Sequence, residues 1–171
     1  NGATFNKPLT VYAESGDDNV LSIPEGLNLE SLEVYGGGID FGADDFTIGD
    51  LYLDNMTSTV DFSGASVEIG ESFYVVSDEA VLGTDCSISM PSGGTFGGSA
   101  GGSVGQVTLS GEVEVGTYFH INELILDGGA DLTVLYKSRL SFDTLIAEGG
   151  SQEDPISLSR GDEHPVPSSI Y

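Results

Sequence analysis

The residues able to carry chemistry in this chain are mostly carboxylates. Of 171 residues, 28 are Asp or Glu and four are Lys or Arg, a formal net charge of −24. Asp50, Asp54, Glu71, Glu123 and Asp127 occupy matching outward positions of a repeat and could form acidic columns on one face. Paired carboxylates serve as acid and base in glycoside chemistry. A lyase working on an anionic polymer also needs cations, and no basic residue lies between Lys7 and Lys137. Asp17-Asp18 and Asp44-Asp45 stand beside Gly or Ala in corner-like segments. There, carboxylates and backbone carbonyls can share a hard cation such as calcium. No window has EF-hand spacing, so the expectation is a weak calcium site at most and no other cofactor.

The other reactive side chains are sparse. His120 and His164 are the only imidazoles. His120 is out of phase with the apolar Phe119 and Ile121 and reads as a solvated strand residue. No nucleophile elbow, phosphate loop or dinucleotide fingerprint occurs, so no catalytic residue is assigned. Cys86, the single cysteine, lies in an alternating run and reads as a small buried residue. Arg160-Gly161-Asp162 matches a tripeptide that integrins read on loops, and a chain rich in Gly and Asp produces it by chance. Tyr35, Tyr52 and Tyr74 recur outward near the matching position of a repeat. A carbohydrate-binding face needs such a row of aromatics, although Tyr is also a favoured strand residue.

The charge excludes two partner classes. Nucleic acids and anionic membrane surfaces are held largely through Lys and Arg contacts to phosphate, and this chain would be repelled by both. No stretch approaches the roughly 18 apolar residues of a membrane helix, so membrane insertion is not expected. The chain opens at Asn1 with neither an initiator Met nor a signal peptide. That reads as a processed product, a piece of something longer or a renumbered chain.

These residues must be positioned by something, and internal repeats show what. Leu29-Glu-Ser-Leu32-Glu-Val34, Ile48-Gly-Asp-Leu51-Tyr-Leu53, Ile121-Asn-Glu-Leu124-Ile-Leu126 and Phe142-Asp-Thr-Leu145-Ile-Ala147 share one pattern. Ile69-Gly-Glu-Ser-Phe73-Tyr-Val75 carries one extra residue. In phase with these, Ile39-Asp-Phe41 and Phe46-Thr-Ile48-Gly49 recur 21 residues on as Val60-Asp-Phe62 and Val67-Glu-Ile69-Gly70. Alternation with period two means strands, since alternate side chains point to opposite faces. A three-strand unit recurring every 19–25 residues is explained by coils stacked one on the next. The expected fold is an all-β, right-handed parallel β-solenoid of six or seven coils without substantial helix. Leu32, Leu51, Phe73, Leu124 and Leu145 are expected to form one inward column.

The expected organisation has three parts: an entry strand or cap over 1–26, the solenoid over 27–149, and an extended, Pro-rich tail over 150–171 for partner contact. A Gly/Ser-rich run at 91–106 reads as a long flexible corner. The motifs Ile48-Gly-Asp-Leu-Tyr-Leu-Asp-Asn55 and Val60-Asp-Phe-Ser-Gly-Ala-Ser-Val-Glu-Ile-Gly70 resemble the β-solenoid segments of bacterial surface adhesins and of phage fibre or capsid-decoration proteins. The calcium-binding nonapeptide of RTX proteins and the Thr-x-Thr columns of β-helical ice-binding proteins are both missing.

The resemblance implies a non-enzymatic structural or adhesive protein, extracellular or on a virion surface. Such a protein would sit on a virus particle or a bacterial surface appendage. The open ends of a solenoid expose unpaired backbone, so self-assembly is expected. That means a homo-oligomer, most simply a side-by-side trimer, or attachment to a larger particle or appendage. Two alternatives stand beside it: a carbohydrate-binding module that reads glycans, and a polysaccharide-processing β-helix enzyme.

Overall fold

The computed structural model describes residues 4–5, 7–12, 20–118, 120–135, 137–148 and 156–161. In chain order the strands begin with β1 (Thr4–Phe5), β2 (Leu9–Tyr12), β3 (Val20–Ser22), β4 (Asn28–Tyr35) and β5 (Gly38–Asp40). Next come β6 (Asp45–Met56), β7 (Val60–Asp61), β8 (Ser66–Leu82), β9 (Ser87–Met90) and β10 (Gly94–Leu109). The last are β11 (Glu112–Thr117), β12 (His120–Leu126), β13 (Asp131–Val134), β14 (Ser141–Ala147) and β15 (Ser157–Arg160). Every pairing among them is parallel. The fold is an all-β solenoid of about six turns, with no helix among the described residues.

Each turn contributes strands to three faces, and inward apolar residues stack in columns from turn to turn. One face carries the column Leu9, Leu32, Leu51, Phe73, Phe96, Val115 and Val134. A second carries Phe46, Val67, Ile88, Val107, Leu124 and Leu145. The third includes Leu21, Ile39 and Val60. Inside, Phe41 stacks on Phe62 at 4.6 Å and Phe73 on Phe96 at 4.8 Å between ring centroids. Sequestering each such Leu, Ile or Phe contributes about 1.5–3 kcal/mol, and this interior holds the coils in register.

The single column expected from the repeat is therefore two columns on two faces. Leu32, Leu51 and Phe73 belong to one, Leu124 and Leu145 to the other. The reason lies in the motif. Its two spacer residues, such as Gly49-Asp50 between the buried Ile48 and Leu51, turn a corner and reset the inward phase without ending β6. Leu29-x-x-Leu32 makes that corner between the second face and the first. Ile121-x-x-Leu124 makes the corner before it in the coil, from the third face to the second. The motif marks a corner, and a three-faced coil has several.

The glycine-rich run also departs from expectation. From Gly94 onward it is a strand, β10, paired with β8 and β9 on one side and β11 and β12 on the other. Glycine is required there by close approach. At Gly94 (φ 125°) and Gly98 (φ 134°) a Cβ would collide with the carbonyl oxygens of Glu71 and Val75. These φ values are ones that side-chain-bearing residues rarely adopt. The stack also extends past the expected limits. β1, β2 and β3 pair in register with β4 and β5, and β15 within the expected tail pairs with β13.

Candidate functional site

A row of four tyrosines runs along the exterior beside the Leu32–Leu51–Phe73 column. Tyr12 stacks on Tyr35 with centroids 5.1 Å apart and planes 11° from parallel. Tyr52 stacks on Tyr74 at 4.9 Å and 10°. The middle contact, Tyr35 to Tyr52, is 5.8 Å and tilted by 49°. Register explains the tilt. Tyr12 is paired with Tyr35, and Tyr52 with Tyr74, but Tyr35 is paired with Asp54 and Tyr52 with Glu33. The row steps sideways by two residues at that point, and a carboxylate fills each position the step vacates.

Those carboxylates shape the electrostatics. The Tyr52 hydroxyl donates to Asp54 at 3.4 Å, and the Thr10 hydroxyl to Glu33 at 3.3 Å. Desolvation by burial, reinforced by Glu33 and Asp54, raises the pKa of Tyr35 above the usual phenol value. Desolvation followed by Asp54 does the same for Tyr52. Both phenols are held protonated, as hydroxyl donors.

The stacking also limits what the row can bind. A sugar packs against an aromatic through the ring face, and here most faces lie against each other. Next to Tyr74 the ladder runs onto Gly97, which is buried. At the other end Tyr12 is 77% exposed. The ladder therefore offers a line of ring edges and hydroxyls and one open terminal face.

Tyr35, Tyr52 and Tyr74 were legible from the repeat; Tyr12 was not picked out. The signal was present, because Leu9-Thr-Val-Tyr12 repeats as Leu32-Glu-Val-Tyr35.

No protein family matches the chain, and neither does any curated protein or solved structure.

The carboxylates do not gather. Asp50 and Asp54 lie on the tyrosine face, whereas Glu123 stands with Gln106 and Thr144 on the next. The acidic columns expected from the repeat split with the two corners. Glu123 is instead engaged by the Gln106 amide at 2.6 Å. Asp44 and Asp45 sit at a corner, half-buried and exposed respectively, while Asp17 and Asp18 lie outside the described residues. Among the described residues, no three His, Cys, Asp or Glu side chains are grouped as a metal would need. Several acids have turn-building work. Asp40 accepts from the Gly42 amide and Asp61 from the Ser63 amide, both at 2.8 Å, and Asp85 accepts from Gly64 at 3.1 Å. The first two are Asx turns, signalled in the sequence by Asp40-Phe-Gly42 and Asp61-Phe-Ser63, whereas Asp85 ties its turn to the neighbouring coil.

His120 is half-buried. Its ring nitrogens face the Ser141 hydroxyl at 2.9 Å and the Asp143 carboxylate at 3.1 Å. Cys86 is buried, its sulfur accepting from the Gly105 amide at 3.4 Å, and burial pushes the thiol up. Arg160 and Gly161 belong to the β15 edge, with the Gly161 amide donating to Val134. Asp162 and His164 lie outside the described residues.

Proposed function

We propose that this chain is a non-enzymatic structural or adhesive element, a stiff acidic rod segment that presents the tyrosine ladder on one face. Exposure on a virus particle or a bacterial surface appendage, outside the cell, fits that role. The observation that carries the reading is the use of the sequence. Apolar side chains form one unbroken interior from turn to turn, and acids are spread over different faces as turn formers and strand partners. A repetitive stack of this kind supplies length, stiffness and repulsion from anionic surfaces.

Glycan recognition is the second reading, favoured by the ladder itself. Four rings flanked by Glu33 and Asp54 give a linear surface of apolar edges, hydroxyl donors and acceptors suited to a neutral polysaccharide. Polysaccharide processing has less support, since the carboxylates do not converge. A glycan array with wild type and the Tyr35→Ala/Tyr52→Ala double variant separates the readings. Binding of neutral glycans that the double variant abolishes establishes the module. Silence across the array leaves the structural role. Glycan turnover by the wild type would sink both.

A further inference from the structure

The apolar surface that folding leaves uncovered is concentrated at the two ends of the stack. Among the described residues the large exposed hydrophobics are Leu9, Tyr12, Val20, Tyr118, Leu145 and Leu158. Leu9, Tyr12 and Val20 lie on β2 and β3, the first rung. Leu145 and Leu158 lie on β14 and β15, the last. The remaining one, Tyr118, donates its hydroxyl to the Lys137 carbonyl. Among the described residues β2 pairs only with β4, β3 only with β5, β14 only with β12 and β15 only with β13. Each end is thus an open parallel edge flanked by apolar side chains, an arrangement that recruits further strands. At the first rung the tyrosine ladder is also open, at the face of Tyr12.

We propose that these ends join head to tail, the last rung of one copy seating on the first rung of a second. Two observations select this occupant. The first is polarity. Because every pairing is parallel, the β14–β15 edge and the β2–β3 edge run in the same direction, so head-to-tail seating continues the existing ladders. Joining two identical ends would force antiparallel pairing across the junction. The second is charge. Lys137, Arg139 and Arg160, three of the four basic residues, lie in the closing rungs beside Asp131, Asp143 and Glu148, so the described part of that end is close to neutral. The opening rungs carry Glu25, Glu30 and Glu33 against Lys7. In a chain of net charge −24, setting the near-neutral end on the acidic one avoids the repulsion that two opening ends would meet. Such an interface is heterologous and does not close on itself, so the product is a linear series.

The proposal rests on the structural reading only in taking self-association as the chain's task. The test mixes two variants of the full chain. Leu9→Lys/Val20→Lys blocks the first rung, and Leu145→Lys/Leu158→Lys blocks the last; all four positions are exposed. Far-UV circular dichroism checks that each variant keeps its sheet signal, and Val20→Lys and Leu158→Lys alone replace any double variant that does not. By sedimentation at physiological salt, the wild type should show a weight-average mass rising with concentration above 17.7 kDa without a plateau. Each variant alone should be a monomer, and an equimolar mixture should stop at a dimer. A wild type that stays monomeric into the hundreds of micromolar overturns the proposal and leaves the glycan reading intact. A mixture that remains monomeric also overturns it. So does a trimer indifferent to both variants, which would point to side-by-side packing, or a dimer formed by one variant alone.

Discussion

Leu51 and Leu124 hold the same place in the repeat yet sit on different faces: Leu51 is paired with Leu32 and Phe73, Leu124 with Val107 and Leu145. Both are fully buried. Leu51→Ala and Leu124→Ala should each cost about 2–5 kcal/mol. Because the two share no column, the double variant should be additive to within about 0.5 kcal/mol. Leu51→Ala combined with Leu32→Ala, which share one, should deviate by more. Denaturant unfolding measures all of these. Equal coupling in the two pairs would mean that the register is wrong.

The glycines of β10 give a second test. Gly98→Ala forces a Cβ against the Val75 carbonyl at a positive φ. The cost should be at least about 2 kcal/mol, far above the usual penalty of backbone freedom. Gly42→Ala, at an exposed corner with no close neighbour, should cost about 1 kcal/mol. If both substitutions are equally mild, β10 is not the close-packed strand described.

Alkaline pH should loosen the tyrosine ladder. The folded state raises the pKa values of Tyr35 and Tyr52 above the ordinary phenol value, which is about 10. Folding therefore retains protons that the unfolded chain gives up. The resulting stability is fully present below pH 10, and declines as pH rises from there through the folded values. Phenolate absorbance should show tyrosines titrating late, and Tyr35→Phe/Tyr52→Phe should flatten the loss of stability above pH 10. An unchanged alkaline profile in that variant would remove the ladder as its cause.

Ionic strength should matter more than for a balanced protein. With a net charge of −24, raising sodium chloride from about 0.01 to 0.1 M shortens the screening length from roughly 30 to 10 Å. The melting temperature should rise by about 2–4 °C for each kcal/mol of repulsion relieved. Calcium at matched ionic strength should add to this only if the Asp44-Asp45 corner binds it. Asp44→Asn/Asp45→Asn would then cancel the increment. A melting temperature flat in both salts would show that acidity does not cost this fold stability.

Cys86 should behave as core. Burial shields the thiol and pushes its pKa up, so Ellman's reagent at pH 8 should react only as fast as the chain unfolds. Prompt labelling of the native protein would place Cys86 at the surface.

Local alternation was enough to determine strands, turns and the recurrence of a three-strand unit, because strand periodicity and Gly, Asn or Asp turns depend on neighbours in sequence. It also assigned Tyr35, Tyr52 and Tyr74 to the exterior. Which residues share a face was decided only by stacking. A corner motif serves at any corner of a three-faced coil, so Leu51 and Leu124 look alike until Leu32 and Val107 stand beside them. Similarly, Gly94 and Gly98 read as a loop because glycine disfavours strands on its own. It becomes the required residue when the Glu71 and Val75 carbonyls of the preceding coil leave no room for a Cβ. The tyrosine ladder is joined only where the first rung brings Tyr12 to 5.1 Å from Tyr35. Contacts between turns span about twenty residues of chain, and their geometry is set by the packed interior rather than by local sequence.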